Sequence, residues 1–145
     1  MKPENDKKNK EEAAQILKKL GLKRTPGRIA LLSLLLKADA PLTQQEISEH
    51  LYKEMNYVNI YRSLDAFVKA GIVHRVETGE KNWRFAICTC GSRGHCHPHF
   101  ICQGCGKTEC LSGVPMPVVS LSDSGYVIYE QEMYLKGLCG SCSSN

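Results

Sequence analysis

Apolar positions in the first half of the chain recur at helical spacing, and turn residues cut them into short runs. Glu11 to Leu20 keeps its apolar side chains on one face and stops at Gly21, a residue suited to the position just past a helix end. Thr25-Pro26 opens a second helix, with Thr at the N-cap and Pro at the first helical position. From Ile29 to Leu36 that helix is apolar almost all round, which marks it as the buried centre of a domain, and Ala40-Pro41 breaks it. Thr43-Gln44-Gln45-Glu46 has the form of a capping box, followed by Ile47 and Leu51 as the buried stripe of a third helix. A fourth helix runs from about Tyr57 to Ala70 and ends at Gly71. Ile60, Leu64, Phe67 and Val68 line its core face, Asn59, Arg62 and Ser63 lie on or near the opposite one, and Tyr57 and Tyr61 sit on a border.

The period then changes. Ile72 to Glu77 and Trp83 to Ile87 read as two strands joined by Thr78-Gly79-Glu80, a hairpin. Helix–turn–helix followed by a hairpin is the winged-helix order. Further on, His99 to Cys102 leads into a tight turn and Lys107 to Leu111 leads out of it. Val114-Pro115-Met116-Pro117 breaks the chain, Val118 to Asp123 reads as a short helix, and Tyr126 to Leu138 as a long strand delivering Cys139. The expected fold class is α+β: an N-terminal winged-helix DNA-binding domain at 1–86, then a small α+β dimerisation domain at 87–145. The long strand would leave an open sheet edge, which a symmetric dimer covers, and the same two-fold would match a palindromic DNA site.

Composition sharpens the division. Residues 1–85 carry 16 Lys/Arg against 11 Asp/Glu, whereas residues 86–145 carry 3 against 4. The basic half is the candidate for contact with a polyanion, although so modest a surplus also describes an ordinary solvated surface. All eight cysteines fall in the last 58 of the 145 residues. The N-terminus is too polar for a signal peptide and no run approaches the length of a membrane span, so the expected compartment is the cytoplasm, where thiols stay reduced.

Cys102/Cys105 and Cys139/Cys142 form two CxxC pairs separated by 33 residues. Each pair puts two sulfurs on one side of a tight turn, and two such turns supply the S4 cage that Zn2+ prefers. Buried thiols or disulfides are the plainer alternative. Removing those four still leaves Cys88, Cys90, His95, Cys96, His97, His99 and Cys110, with His74 upstream on the wing. That is more than one cage can use, and it suggests a second metal site. Taken alone, Cys88 also reads as a small buried residue of its strand, and His74 as an exposed wing residue.

On the fourth helix, Arg62 can reach guanine in bidentate fashion, Tyr61 offers a ring and a hydroxyl, and Asn59 lies nearby. Lys23 and Arg24, with Arg28 following, can hold phosphates or enter a minor groove. A core-edge aromatic and a solvated loop are the competing readings.

GLKRTPGR, NIYRSL, HPHFICQGCGK and the terminal GLCGSC occur in the order seen in the ferric uptake regulator family, and the chain resembles that family over nearly its whole length. The resemblance implies a homodimeric, metal-sensing repressor that binds a double-stranded DNA operator. Tyr61 and Arg62 would read bases, Lys23 would reach the minor groove, and Cys102, Cys105, Cys139 and Cys142 would hold structural zinc. Within the family the chain looks most like the zinc uptake regulators, which implies a second, sensing Zn2+ at His74, Cys88, His95 and Cys110. Cys110 departs from the Glu usual there, with Glu109 one residue earlier. Cys90 with His97 and His99 is the rival set. Two Zn2+ per chain, one structural and one regulatory, are expected.

Soft sulfur suits Zn2+ better than Fe2+ or Mn2+, so an iron- or peroxide-sensing repressor is the alternative within the family. Outside it stands a zinc-ribbon adaptor without DNA binding. Catalysis is not expected: a zinc deaminase needs a Glu beside its ligand His and a PCxxC pair, and neither is present around His95 to Cys105. No small-molecule substrate and no membrane partner are implied.

Overall fold

The computed structural model describes residues 3–77, 83–87, 97–111, 113–117, 119–129 and 131–144. The chain divides into two compact units, Met1–Ile87 and Cys88–Asn145. Among the described residues, no helix is long and apolar enough to cross a membrane.

The first unit is helical with a small sheet. Helix α1 spans Pro3–Lys19, a full two turns earlier than the apolar stripe suggests. Its front is charged, but Glu, Lys and Asn-flanked Asp continue a helix at little cost, and acidic residues in the first turn with lysines in the last suit the helix dipole. Helix α2, Pro26–Lys37, starts as expected at Thr25, whose Oγ1 accepts the Arg28 N–H. Leu31 to Leu35 are all buried, including Ser33. Helix α3, Gln44–Leu51, carries the complete capping box: Thr43 Oγ1 accepts Glu46 N–H at 3.1 Å, and Glu46 Oε2 accepts Thr43 N–H at 2.8 Å. Helix α4, Tyr57–Lys69, is capped by Asn56.

Both α1 and α4 stop where a glycine takes a left-handed conformation, Gly21 at φ +66° and Gly71 at φ +80°. In each case the following residue donates back to the helix, Leu22 to the Leu17 carbonyl and Ile72 to the Phe67 carbonyl. The core between the helices centres on Leu17, Leu31, Leu32, Ile47, Ile60, Leu64 and Phe67, each at or below 1% exposure. Ser63 was expected to face outward and does not: it is buried, because it lies three residues after Ile60 and beside Leu64, inside the core stripe.

The wing is β2, Val73–Glu77, paired antiparallel with β3, Trp83–Ile87, from Val73 opposite Ile87 to Glu77 opposite Trp83. A third strand, β1, Leu42–Thr43, joins the other edge of β3, which the apolar pattern did not reveal. Arg84 reinforces this junction by donating to the Pro41 carbonyl and to Glu46 Oε2, both at 3.3 Å.

The second unit is built on a three-stranded sheet in the order β5-β4-β6. Strand β4, His99–Cys102, runs antiparallel to β5, Thr108–Cys110, and parallel to β6, Tyr134–Gly137. A single turn of helix, α5, Gly140–Ser143, follows. Of the long strand expected over Tyr126 to Leu138, four residues form β6, and they are the ones that pair with β4. Tyr126, Val127 and Tyr129 are 71–88% exposed. No helix forms over the described part of Val118 to Asp123. Leu121 to Gly125 is a turn instead, closed by Ser124 Oγ donating to the Leu121 carbonyl, with Gly125 at φ +76°.

Thr43→Ala is expected to lower the stability of the first unit by about 1 kcal/mol in urea unfolding. Phe67→Ala, in the packed centre, should cost about 3–5 kcal/mol by the same measurement.

Candidate metal centres and nucleic-acid face

Cys102 closes β4 and is 1% exposed. The chain then turns through Gln103 and Gly104 to Cys105, with Gly106 N–H returning to the Cys102 carbonyl at 2.9 Å. Gln103 N–H donates to the Gly137 carbonyl at 2.7 Å, which clamps this turn to the end of β6. Cys139 caps α5 and Cys142 sits within it, so the second CxxC lies on one helical turn. A Cβ at position 104 would meet Cys142 Sγ at 3.1 Å, a tight contact against the second CxxC.

The four sulfurs all lie within 4.8 Å of one another. Cys105 Sγ and Cys139 Sγ are 3.8 Å apart. Zn–S bonds of ~2.3 Å in a tetrahedron require sulfur separations of about 3.8 Å. The donor set therefore fits a tetrahedral thiophilic ion, and the five described cysteines are thiols rather than disulfides. Electrostatics point the same way. Backbone N–H groups of Cys139 and Cys105 lower Cys102 to about 6, favouring its thiolate. Hydrogen bonding to the sulfurs of Cys139, Cys102 and Cys105 pushes Cys142 up to about 12. Four sulfurs this close cannot all ionise unless a cation replaces the retained proton.

A second cluster is set by strand register. His99 stands directly opposite Cys110 across β4 and β5, so both side chains share a face. His97 precedes His99 by two residues and falls on the same side of the extended chain. The Leu111 N–H bond to the Pro98 carbonyl, 2.9 Å, prolongs the pairing beyond the strands. Ligand atoms of His97, His99 and Cys110 accordingly lie within 4.8 Å of one another. The two imidazoles are 6% and 5% exposed, with ring centroids 4.9 Å apart, and His97 Nε2 and His99 Nδ1 are shielded from solvent. Alternation along β5 turns Glu109 the other way, where it is exposed and ion-paired to Lys107 at 3.8 Å.

This grouping takes Cys110 from one expected ligand set and His97 and His99 from the other. Cys88, Cys90, His95 and Cys96 lie outside the described residues. His74, on β2 in the first unit, stands opposite Ala86 and is half-buried. The trio was missed because it is a product of β4–β5 register, which sets His99 opposite Cys110.

On α4, Tyr57, Asn59, Tyr61 and Arg62 are all exposed, with Tyr61 at 56%. Lys23 and Arg24 are exposed in the loop before α2, and Arg28 is half-buried in its first turn. The first unit thus presents a helix face carrying hydrogen-bonding and aromatic groups, and a basic loop.

Cys142→Ser is expected to lower the metal content of the purified protein by about one equivalent and to make the second unit sensitive to protease. Unchanged metal content would remove Cys142 from the donor set.

Residues 19–115 match the Ferric uptake regulator family. The ferric uptake regulation protein of Staphylococcus aureus is 33% identical over 138 residues, 92% of this chain and 98% of that protein. Among solved structures, a zinc uptake regulator complexed with zinc and DNA superposes with a TM-score of 0.69 at 22% identity, covering 96% of this chain and 95% of that one. Holo XcZur gives 0.68 at 23% identity, covering 94% and 97%. These two likenesses establish the shared fold. The chain belongs to the ferric uptake regulator family, and is a metal-responsive transcription regulator rather than an enzyme.

Proposed function

We propose that the protein is a zinc-responsive repressor of metal-uptake genes that binds palindromic operators as a homodimer when metal-loaded. The observation that carries the choice of metal is the sulfur in the second cluster: Cys110 joins His97 and His99, while Glu109 faces away. Soft sulfur with imidazole suits Zn2+, whereas Fe2+ and Mn2+ sites lean on carboxylates. The name of the Staphylococcus aureus relative favours a second reading, iron, which the experiment below separates.

In this reading each chain takes two Zn2+. Cys102, Cys105, Cys139 and Cys142 hold the structural ion. His97, His99 and Cys110 bind the regulatory one and His74 of the wing completes the set, with Cys88 and His95 as the competing donors. When bound, the ion supplies a fixed link among its donors. His74 then ties the DNA-binding unit to the dimerising one, and metal and DNA affinity become linked. Carrying such an equilibrium from mostly open to mostly closed needs about 5.5 kcal/mol of differential affinity, within reach of a thiolate-containing site. The exposed Tyr126 to Tyr129 segment supports the dimer, since apolar surface of that kind meets a partner. Tyr61, Arg62 and Asn59 of α4 read the major groove, while Lys23, Arg24 and Arg28 contact phosphates or the minor groove. Free thiols of this number suit the reducing cytoplasm.

DNA retardation against a random-sequence duplex pool, titrated with Zn2+, Fe2+ and Mn2+, tests the proposal. Retention at the lowest free concentration of Zn2+ is expected, and retention with Fe2+ alone would overturn the zinc assignment. His99→Ala should abolish metal-dependent retention yet keep about one bound metal per chain. If Cys88→Ser does so and His99→Ala does not, the competing donors form the site. Arg62→Ala should cost about 1–3 kcal/mol and relax sequence preference at one position, and a loss uniform across sequences would make it a phosphate contact.

A further inference from the structure

A cleft of about 260 Å³ opens in the first unit between the start of α3, the first turns of α4 and the wing. Gln44 and Gln45 form one wall, Tyr57 and Tyr61 a second, and Arg75 and Trp83 a third. Gln44 Nε2 donates to the Tyr57 carbonyl at 3.4 Å, which holds the first two walls together. The rim is aromatic and open to solvent, with Tyr57, Tyr61 and Trp83 exposed by 57%, 56% and 46%. Neither the metal clusters nor the base-reading face of α4 accounts for Trp83.

Arg75, the cation among the described lining residues, is already engaged. Its guanidinium lies 3.5 Å from Asp65 Oδ1 and its Cζ lies 5.8 Å from the Trp83 ring centroid. What the cleft offers is ring faces flanked by amide and phenol donors. A DNA strand has the matching alternation: deoxyribose rings present apolar faces, and the phosphate esters between them present acceptor oxygens. Tyr61 belongs both to the cleft and to the exposed face of α4, so a strand lying here would be continuous with the groove that α4 reads.

We infer that this cleft holds the sugar–phosphate backbone of one DNA strand, with Trp83 packed on a deoxyribose and Arg75, fixed by Asp65, as the residue that positions the indole. The inference rests on the DNA-binding reading above and extends it to the wing.

Trp83 is the chain's single tryptophan, so intrinsic fluorescence reports on the cleft without any substitution. The experiment uses the full, metal-loaded chain with two probes, a duplex enriched from a random pool and an unrelated mixed-sequence duplex. Acrylamide quenching of Trp83 is expected to fall at least roughly twofold with both, as a covered aromatic requires. Trp83→Ala should weaken both complexes about tenfold, because backbone contacts carry no sequence information. The slope of affinity against salt should not change, since an indole releases no counterions. Trp83→Phe should recover most of the loss, and Asp65→Asn should raise the quenching of Trp83 in the complex.

DNA retained with Trp83 as quenchable as in the free protein overturns the inference, as does wild-type affinity in Trp83→Ala. The fluorescence arm decides the matter even if Trp83→Ala fails to fold. Retention of neither duplex by the wild-type protein with any metal overturns the DNA-binding reading and this inference together. Retention with unchanged fluorescence overturns this inference alone.

Discussion

Strand β4 is four residues long, and both metal clusters hang from it. His99 opens it and Cys102 closes it. Three steps of about 3.3 Å place their Cα atoms roughly 10 Å apart. Hydrogen bonding along one edge, to β5, carries Cys110 to His99, and along the other, to β6, it delivers the chain to Cys139. Each cluster is therefore assembled by backbone pairing rather than by loop flexibility. The dependence is mutual, because an ion gripped by Cys102, Cys105, Cys139 and Cys142 would fasten the end of β6 to the end of β4. Few side chains in this unit are deeply buried among those described, chiefly Pro98, Ile101, Cys102 and Thr108 besides the two imidazoles. With so little apolar burial among the described residues, an ion held by the four cysteines would add coordination bonds to the cohesion of this unit.

The first unit meets the opposite condition. Its helices share a continuous apolar core from Ala13 to Phe85. That core leaves the outer side of α4 unconstrained by packing. Exposed tyrosines, an asparagine and an arginine can occupy it without cost to the core. Glu46 illustrates how tightly the inner side is tied: one carboxylate caps α3 and also receives Arg84 from β3, linking helix and wing through a single oxygen.

Most of this unit was legible in the sequence because its signals are local. The Thr25-Pro26 start, the Thr43 to Glu46 box and the stops at Gly21 and Gly71 each act within a few residues. The misreadings involve partners distant in sequence. Strand β1 exists only because β3 offers an edge to Leu42 and Thr43. The stretch from Tyr126 to Leu138 has strand-like composition throughout, yet β4 is long enough to pair with only four of its residues. The four knuckle cysteines could be grouped from spacing, since a CxxC turn brings its own sulfurs together. The trio of His97, His99 and Cys110 could not, because it depends on which residues of β4 and β5 stand opposite one another. Ser63 failed for a simpler reason: a small polar residue beside Leu64 is covered by its neighbours whatever its own preference.

The alternation of Glu109 and Cys110 across β5 has an evolutionary corollary. Inserting a single residue between Cys105 and Thr108 would shift β5 by one place and set Glu109, in place of Cys110, opposite His99. A sulfur donor would give way to an oxygen donor, and the preference of the pocket would move from thiophilic ions toward harder ones. Discrimination among transition metals could thus diverge between related regulators through a frame change in a tight turn, with every coordinating histidine left in place.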